Sequence, residues 1–375
     1  MGYLILGLEI LMAITGLIAI ITNRFPYRPG RPVTGLGAYV AAHVLNMIAK
    51  GLAWPVTLLP IAGGLGGALF AVLFGYPTTR RAGTTFAMIT LGIGEMVFAC
   101  VLMLPGFFGG EGGITVNRTS GGPFLGIGGL TLGPAIQVYY LIAAWCFLAT
   151  GAMFAFSRTP LGRIANAVRD NPERAEFIGY DPARVRYLVM IAAGFFAGIA
   201  GALSAINYEI VNAENVGAVR SGEVLIATFI GGAGFFFGPI LGAIVFTLMA
   251  VAVGTVSKAW LLYLGVLFIA MVMYAPGGLA SLILANLRMA RHGQLRRLVP
   301  HYGALAAAAG VFACGAIGLV EMTYQVALEA DSPAIRYGGL TLDTHGAHAW
   351  IALGAIAALG TWLTRVAWRA FRAEW

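Results

Sequence analysis

The sequence predicts an all-α, polytopic integral membrane protein with about 9–11 transmembrane helices, on three observations. First, 59% of the 375 residues are hydrophobic, 10% are charged and the mean hydropathy is +0.85, whereas a soluble domain is about 25% charged. Second, uncharged apolar stretches of about 20 residues recur, each long enough to cross about 30 Å of hydrocarbon. Third, the cations concentrate in alternate connections. Soluble enzymes are excluded, and so are β-barrels, because their strands are shorter and alternate in polarity.

Eleven apolar stretches are candidate spans. The first lacks a basic leading region and an Ala-x-Ala cleavage site, so it is interpreted as an uncleaved span rather than a signal peptide. Two stretches, at residues 33–49 and 223–237, are short, so each is either a span or a broken or re-entrant helix. The candidates are residues 3–22, 33–49, 54–76, 84–104, 135–156, 187–207, 223–237, 239–257, 260–276, 303–324 and 347–364.

The distribution of positive charge predicts the orientation of the chain. If the connections alternate between sides, all but five of the 23 lysines and arginines fall on one side. The positive-inside rule makes that side cytoplasmic, with the N-terminus outside and the C-terminus inside. The net charge of +8 is thereby explained without a nucleic-acid partner. The outer connections at residues 105–134 and 325–346 are candidate docking surfaces for an extracytoplasmic partner, or solvated turns without one.

The longest polar cytoplasmic stretch, residues 157–186, carries three signals for the start of a helix. Thr159, Asn171 and Asp181 each precede a proline, which is the pattern of an N-cap followed by Pro at the first helical position. Gly179 stands where a glycine would end the middle helix. We expect a helix of about two turns over residues 172–178, outside the bilayer. It is either a lever between the membrane domain and a cytoplasmic partner, or an inert interfacial loop.

This middle helix resembles a known motif. Glu173-Arg174-Ala175, followed by Gly179, resembles the EAA loop of ABC importer permeases, which in that family docks into a cleft on the ATPase subunit. Arg174 departs from the second alanine of the usual pattern. The resemblance implies a set of residues that couple this chain to an ATPase: Glu173, Arg174, Ala175 and Gly179.

Further stretches of the chain form a pattern whose members are common alone but specific in order and spacing. They are residues 90–95, 162–171, 178–182, 195–203, 231–234, 238–243 and 274–279. Together they resemble more narrowly the branched-chain amino acid permeases of the LivM type. The resemblance implies an ABC importer permease fold over residues 1–285, with the coupling segment at 157–186. Residues 286–375 remain as a C-terminal extension with two further predicted spans.

The resemblance also implies a set of partners. The chain would lie in the lipid bilayer of a bacterial cytoplasmic (inner) membrane and form a translocation path with a second homologous permease subunit. Two cytoplasmic ATP-binding subunits would bind and hydrolyse ATP, so this chain would need no cofactor. A periplasmic or other extracytoplasmic substrate-binding protein would deliver a branched-chain or related amino acid. No nucleic acid is expected among the partners.

Acidic residues inside the predicted spans need a physical explanation. Glu95 lies about halfway along its span, directly after Gly92 and Gly94. An acid at a helix centre costs about 2.5–3.5 kcal/mol on insertion scales, so it requires a partner, water or a proton. Glu95, with Gly92 and Gly94, either faces the translocation path or a gate, or fixes a helix contact. Glu9 and Glu321 raise the same question, the latter near the outer end of its span.

Glycines at a spacing of four recur at three places in the apolar part of the chain. In lipid this spacing lets helix backbones approach closely, so helix packing is one interpretation. The other is a turn or break at residues 234–239, in which Gly234, Gly238 and Pro239 line the substrate path. The pairs are Gly63 with Gly67, Gly194 with Gly198, and Gly234 with Gly238 and then Gly242.

No catalytic site is expected. The sequence contains no G-x-x-x-x-G-K-[ST], no H-E-x-x-H and no G-x-S-x-G. The three cysteines fall inside apolar stretches without motif spacing, so neither a disulfide framework nor a metal site is indicated. We expect a permease rather than an enzyme. Two other classes remain as alternatives: a proton-coupled secondary transporter that uses Glu95, and a membrane scaffold that transports nothing.

Overall fold

The computed structural model describes most of the chain from residue 32 onward. The predicted first span at residues 3–22, with Glu9, lies outside the described residues. Contacts divide the chain into two compact units, one of Met1–Leu248 with Leu267–Ala280 and one of Met249–Val266 with Ser281–Trp375. The described residues are 32–52, 54–119, 132–255, 257–291, 295–328, 334–337, 340–343 and 347–374.

Most of the described residues are helical, as the apolar stretches predict. Two helices begin at Thr84 and Ala135, the residues where the sequence places the start of a span. In chain order the helices are α1 (Pro32–Ala49), α2 (Leu59–Thr79), α3 (Thr84–Met103), α4 (Pro105–Phe108), α5 (Ala135–Arg158), α6 (Pro160–Asp170), α7 (Pro172–Phe177), α8 (Pro182–Tyr208), α9 (Ala218–Gly231), α10 (Gly238–Leu248), α11 (Trp260–Tyr274), α12 (Gly278–Arg291), α13 (Leu295–Leu328) and α14 (Ala347–Glu374).

Long apolar helices dominate both units. Within the described residues, six helices are long and apolar enough to cross a membrane. The bent pair α11 and α12, which meet at 53°, passes the same test jointly, and two shorter apolar helices occupy Val33–Ala49 and Gly238–Val253. The predicted all-α, polytopic membrane fold is confirmed. The six helices are Val56–Thr79, Thr84–Met103, Ala135–Arg158, Pro182–Tyr208, Gly303–Tyr324 and Trp350–Ala367.

Short antiparallel strand pairs lie in the polar connections. β1 (Ile114–Thr115) pairs with β2 (Ile210–Val211). β3 (Ala334–Tyr337) pairs with β4 (Leu340–Asp343). Each of the two predicted outer connections therefore contains backbone that is held by ladder hydrogen bonds rather than only loose turns.

Helix α8 is the centre of the first unit. In its most apolar window 78% of the residues are buried, compared with 22% for α3. It packs against α1 and α2, where glycines replace side chains. A Cβ atom added at Gly198 would lie less than 3.0 Å from the Gly63 carbonyl oxygen, and one at Gly67 would lie equally close to the Gly194 carbonyl oxygen. The two predicted glycine pairs thus face each other, which confirms helix packing as their role here.

The second unit contains an acid that the sequence singles out. Glu321, on α13, accepts hydrogen bonds from the Tyr263 hydroxyl at 2.8 Å and from the Ser257 hydroxyl. An acid in an apolar helix requires a partner, and for Glu321 two hydroxyl groups of the same unit supply it. Helix α13 also packs closely against α14, because Gly315 and Gly360 leave no space for a Cβ atom.

Candidate functional site

The segment at residues 157–186 folds as its capping chemistry predicts. Helices α6, α7 and α8 follow one another with only short turns between them. The backbone N–H groups in the first turn of a helix have no partner within the helix. Each of the three predicted N-cap side chains accepts a hydrogen bond from one of these groups. Thr159 accepts from Gly162 at 3.3 Å, Asn171 from Arg174 at 3.0 Å, and Asp181 from Ala183 at 2.8 Å.

One face of α7 is anchored to its neighbours. Ala175 is 2% exposed and belongs to a small apolar cluster with residues of α6 and α8. Helix α8 continues from this cluster into the core, so α7 is packed directly against the most buried helix of the unit. The cluster consists of Ala165, Val168, Ala175, Val185 and Val189.

The free end of α7 presents a large apolar tip. Phe177 is 89% exposed and Ile178 is 63% exposed, in a segment that is otherwise polar. Gly179 follows with φ of +90°, the left-handed conformation that favours glycine, and its backbone N–H donates to the Glu176 carbonyl at 2.9 Å. Adjacent exposed apolar side chains in a polar segment indicate a surface that another protein or a membrane covers.

The four predicted coupling residues therefore have different positions. Glu173 and Arg174 are exposed, Ala175 points inward to the apolar cluster, and Gly179 makes the turn. Sequence reasoning missed the apolar tip, Phe177 and Ile178. The signal was available, since two large apolar residues stand directly before Gly179 in a polar stretch.

Helix α3 separates the predicted trio around Glu95. Gly94 is on the buried face, whereas Gly92 and Glu95 are on the exposed face. No other described residue has an atom within 4 Å of a Cβ position at Gly92, so the described part of the chain leaves open space one turn before the Glu95 carboxylate. The exposed face also carries Met88, Leu91, Met96 and Met103.

The chain breaks between α9 and α10 as one of the two interpretations predicts. A Cβ atom at Gly238 would lie less than 3.0 Å from the Gly232 carbonyl oxygen, so Gly238 makes close backbone contact. Pro239 is buried in the first turn of α10. Gly234, in contrast, is exposed with nothing within 4 Å of its Cβ position. The prediction that Gly234 and Gly238 form a helix-packing pair is wrong, because Gly234 lies in the connection rather than in a helix.

The chain also breaks between α11 and α12, and this turn contacts the one between α9 and α10. Gly232, with φ of +110°, contacts Gly278, with φ of +68°, so closely that neither position leaves space for a Cβ atom. This joins the turn before α10 to the turn between α11 and α12. Both stretches belong to the family resemblance, but the sequence does not predict that they touch. About 45 residues separate them, and glycine is compatible with many conformations.

The C-terminal end of α8 is held by an arginine clasp. The Arg118 side chain donates to the carbonyl oxygens of Leu132 at 2.8 Å and Asn207 at 3.4 Å, and its Nη1 lies 3.8 Å from Glu209 Oε2. A guanidinium there satisfies carbonyls at the helix C-terminus and complements its partial negative charge. The strand pair β1–β2 lies next to it, so the connection after α3 is fastened to the end of α8.

No metal centre is found in the part of the chain that the structure describes, since no three His, Cys, Asp or Glu side chains come together there. The described features of the site are an apolar tip on α7, an exposed carboxylate on α3, a glycine junction between two chain breaks and a clasp at the opposite end of α8.

Comparisons with known proteins give this arrangement its context. A family model described as the permease component of the branched-chain amino acid transport system matches residues 6–276. The high-affinity branched-chain amino acid transport system permease protein LivM of Escherichia coli (strain K12) is 29% identical over 302 residues, which cover 76% of this chain and 68% of that protein. LivM of Salmonella typhimurium is 28% identical over 309 residues, covering 78% and 70%. The probable ABC transporter permease protein YphD of Escherichia coli is 30% identical over 131 residues, covering 33% and 37%. No solved structure matches.

Proposed function

Because the chain belongs to the family of branched-chain amino acid transport permease components, we propose that it is driven by ATPase subunits on separate chains. It forms the translocation path of an ABC importer for a branched-chain or related amino acid. The observation that carries this proposal is the apolar tip of α7. On a segment outside the bilayer, exposed apolar side chains such as Phe177 and Ile178 are best explained by a protein partner that covers them.

The coupling follows from the connection of α7 to α8. An ATPase that closes on ATP displaces the tip, and the cluster around Ala175 passes that displacement to α8. A helix of 27 residues is about 40 Å long, so α8 extends from the cytoplasmic segment to the Arg118 clasp. The ATPase moves the equilibrium only if it binds the two permease states with different affinities.

The other partners occupy different surfaces. The exposed face of α3 contacts the second permease subunit, because a carboxylate such as Glu95 is costly against lipid and is better placed at a path between subunits. The break at Gly238 and Pro239 contributes to the same path, with Gly234 in its connection. The connection after α3 receives the extracytoplasmic binding protein. The cation distribution supports an orientation with the N-terminus outside and the C-terminus in the cytoplasm.

Reconstitution with separate energy sources tests the proposal. The chain is assembled with its genomic partners in proteoliposomes, and leucine uptake is measured with ATP and no ion gradient, then with a proton gradient and no ATP. We expect uptake only with ATP and only when the P-loop lysine of the ATPase is intact. Uptake driven by the proton gradient alone would favour the secondary transporter that uses Glu95. No uptake under either condition, with a folded complex, would favour a scaffold.

A further inference from the structure

Two buried polar atoms on α1 lack a hydrogen-bond partner among the described residues. They are the hydroxyl oxygen of Tyr39 and Nε2 of His43. Tyr39 is only 1% exposed. Residues four apart on a helix lie on the same face, so the two side chains are neighbours, here called the Tyr39–His43 pair. Inside an apolar helix an unpaired polar group is costly, and such groups are usually matched in some state of the molecule.

The cover over this pair is aromatic. The Tyr39 ring meets the Phe108 ring edge-on at 5.1 Å between centroids, and the His43 ring lies 4.5 Å from the Phe107 ring. Both phenylalanines come from α4, a helix of four residues. Phenyl rings offer neither a donor nor an acceptor to the pair. The pair is therefore closed off by side chains that do not satisfy it.

The helix that carries these two rings is short. It is a single turn followed by Gly109, which has φ of +79°, and no other described residue has an atom within 4 Å of a Cβ position at Gly106. Phe107 is 58% exposed, whereas Phe108 packs against the core. A displacement of α4 would separate both phenyl rings from the Tyr39 and His43 rings.

We propose that the Tyr39–His43 pair binds the carboxylate of an aliphatic amino acid when α4 lifts. The Tyr39 O–H and the Nε2–H tautomer of His43 are both donors, and side chains one turn apart can reach the two oxygens of one carboxylate. When α4 returns over the bound ligand, Phe107 and Phe108 supply apolar contact for its aliphatic side chain. This inference rests on the proposed function, because it names the substrate group that the permease recognises.

Tyr39→Phe is a sharp test because it deletes one oxygen atom that makes no hydrogen bond to the described protein. Equilibrium binding of radiolabelled L-leucine to the purified complex is measured by scintillation proximity, without ATP or binding protein. We expect the Kd to rise about tenfold in Tyr39→Phe, as for the loss of one hydrogen bond to a charged group. Tyr140→Phe is the matched control, since Tyr140 is 66% exposed, and its Kd should equal that of the unaltered chain.

Each outcome decides for or against the site. An unchanged Kd in both Tyr39→Phe and His43→Phe would overturn the proposal, and so would absence of leucine binding to the unaltered complex. Leucinamide, which lacks the carboxylate, should bind weakly to the unaltered chain, and equal affinity for the two ligands would also overturn it. Thermal stability should not fall in Tyr39→Phe, because the deleted hydroxyl is unpaired. Failure of ATP-driven uptake by the unaltered complex would reject the proposed function separately, because the binding measurement needs no ATP.

Discussion

Phe177→Asp should lower ATP-driven amino acid uptake about 30-fold, while the chain still folds and inserts. Truncating a hot-spot side chain at an interface costs about 2 kcal/mol or more, and a charge in its place adds the cost of desolvation. Phe177 is 89% exposed in the isolated chain, so the exchange removes little contact within the chain itself. Uptake is measured in proteoliposomes, with expression and thermal stability determined in parallel.

Three further variants of the same segment sharpen this prediction. Phe177→Leu keeps an apolar tip and should retain most of the uptake, which makes it the matched control. Glu173→Lys reverses an exposed charge at the start of α7 and should lower uptake while expression persists. Gly179→Leu should do the same, because a non-glycine residue in the left-handed region costs about 1–2 kcal/mol and tilts the tip. Full uptake in Phe177→Asp, Glu173→Lys and Gly179→Leu would reject the coupling role of this segment.

Glu95→Gln should lower uptake at least tenfold without destabilising the chain. The glutamine keeps the size of the side chain and removes its charge, so a change in transport reports on the charge in the path. Because Glu95 is on the exposed face of α3, the melting temperature of the Glu95→Gln chain should equal or exceed that of the unaltered chain. Uptake rate, ATPase rate and melting temperature are measured together, with Glu111→Gln as a control exchange at an exposed acid in the outer connection.

The ATPase rate separates the roles of these two sites. In Phe177→Asp the stimulation of ATP hydrolysis by the loaded binding protein should be lost, because the contact with the ATPase is damaged. In Glu95→Gln hydrolysis should persist without matching transport, since only the path is altered. If Glu95→Gln transports at the unaltered rate, the acid has a structural role and does not face the substrate.

Local chemistry makes the segment at residues 157–186 predictable from sequence. An N-cap followed by proline predicts a helix start within one or two residues, and α6, α7 and α8 begin at the prolines that follow the three N-caps. The middle helix ends at Phe177, one residue earlier than expected, with Ile178 and Gly179 forming the turn. The glycine pairs of α2 and α8 were equally informative, because their spacing encodes close contact between helices.

Tertiary contacts explain what the sequence could not give. Gly94 and Glu95 are neighbours in the chain, yet one is buried and the other exposed, and only the rotation of α3 decides which. The contact between Gly232 and Gly278 joins two turns that lie far apart in the sequence. The Tyr39–His43 pair carries no motif, because an aromatic ring and an imidazole four residues apart in an apolar helix are commonly only part of a core.

Photo-crosslinking at the tip of α7 tests most directly whether this chain is moved by a separate ATPase. A benzophenone is attached at Phe177→Cys in a chain whose cysteines at positions 100, 146 and 314 are replaced by alanine, and the assembled complex is irradiated in membranes. A label at Phe147→Cys, on an exposed position of the membrane helix α5, is the control. We predict an adduct with the ATP-binding subunit from Phe177→Cys alone, with a yield that changes when ATP is added. An adduct of Phe177→Cys with lipid only, in a complex that still transports, would contradict the coupling proposed for this helix.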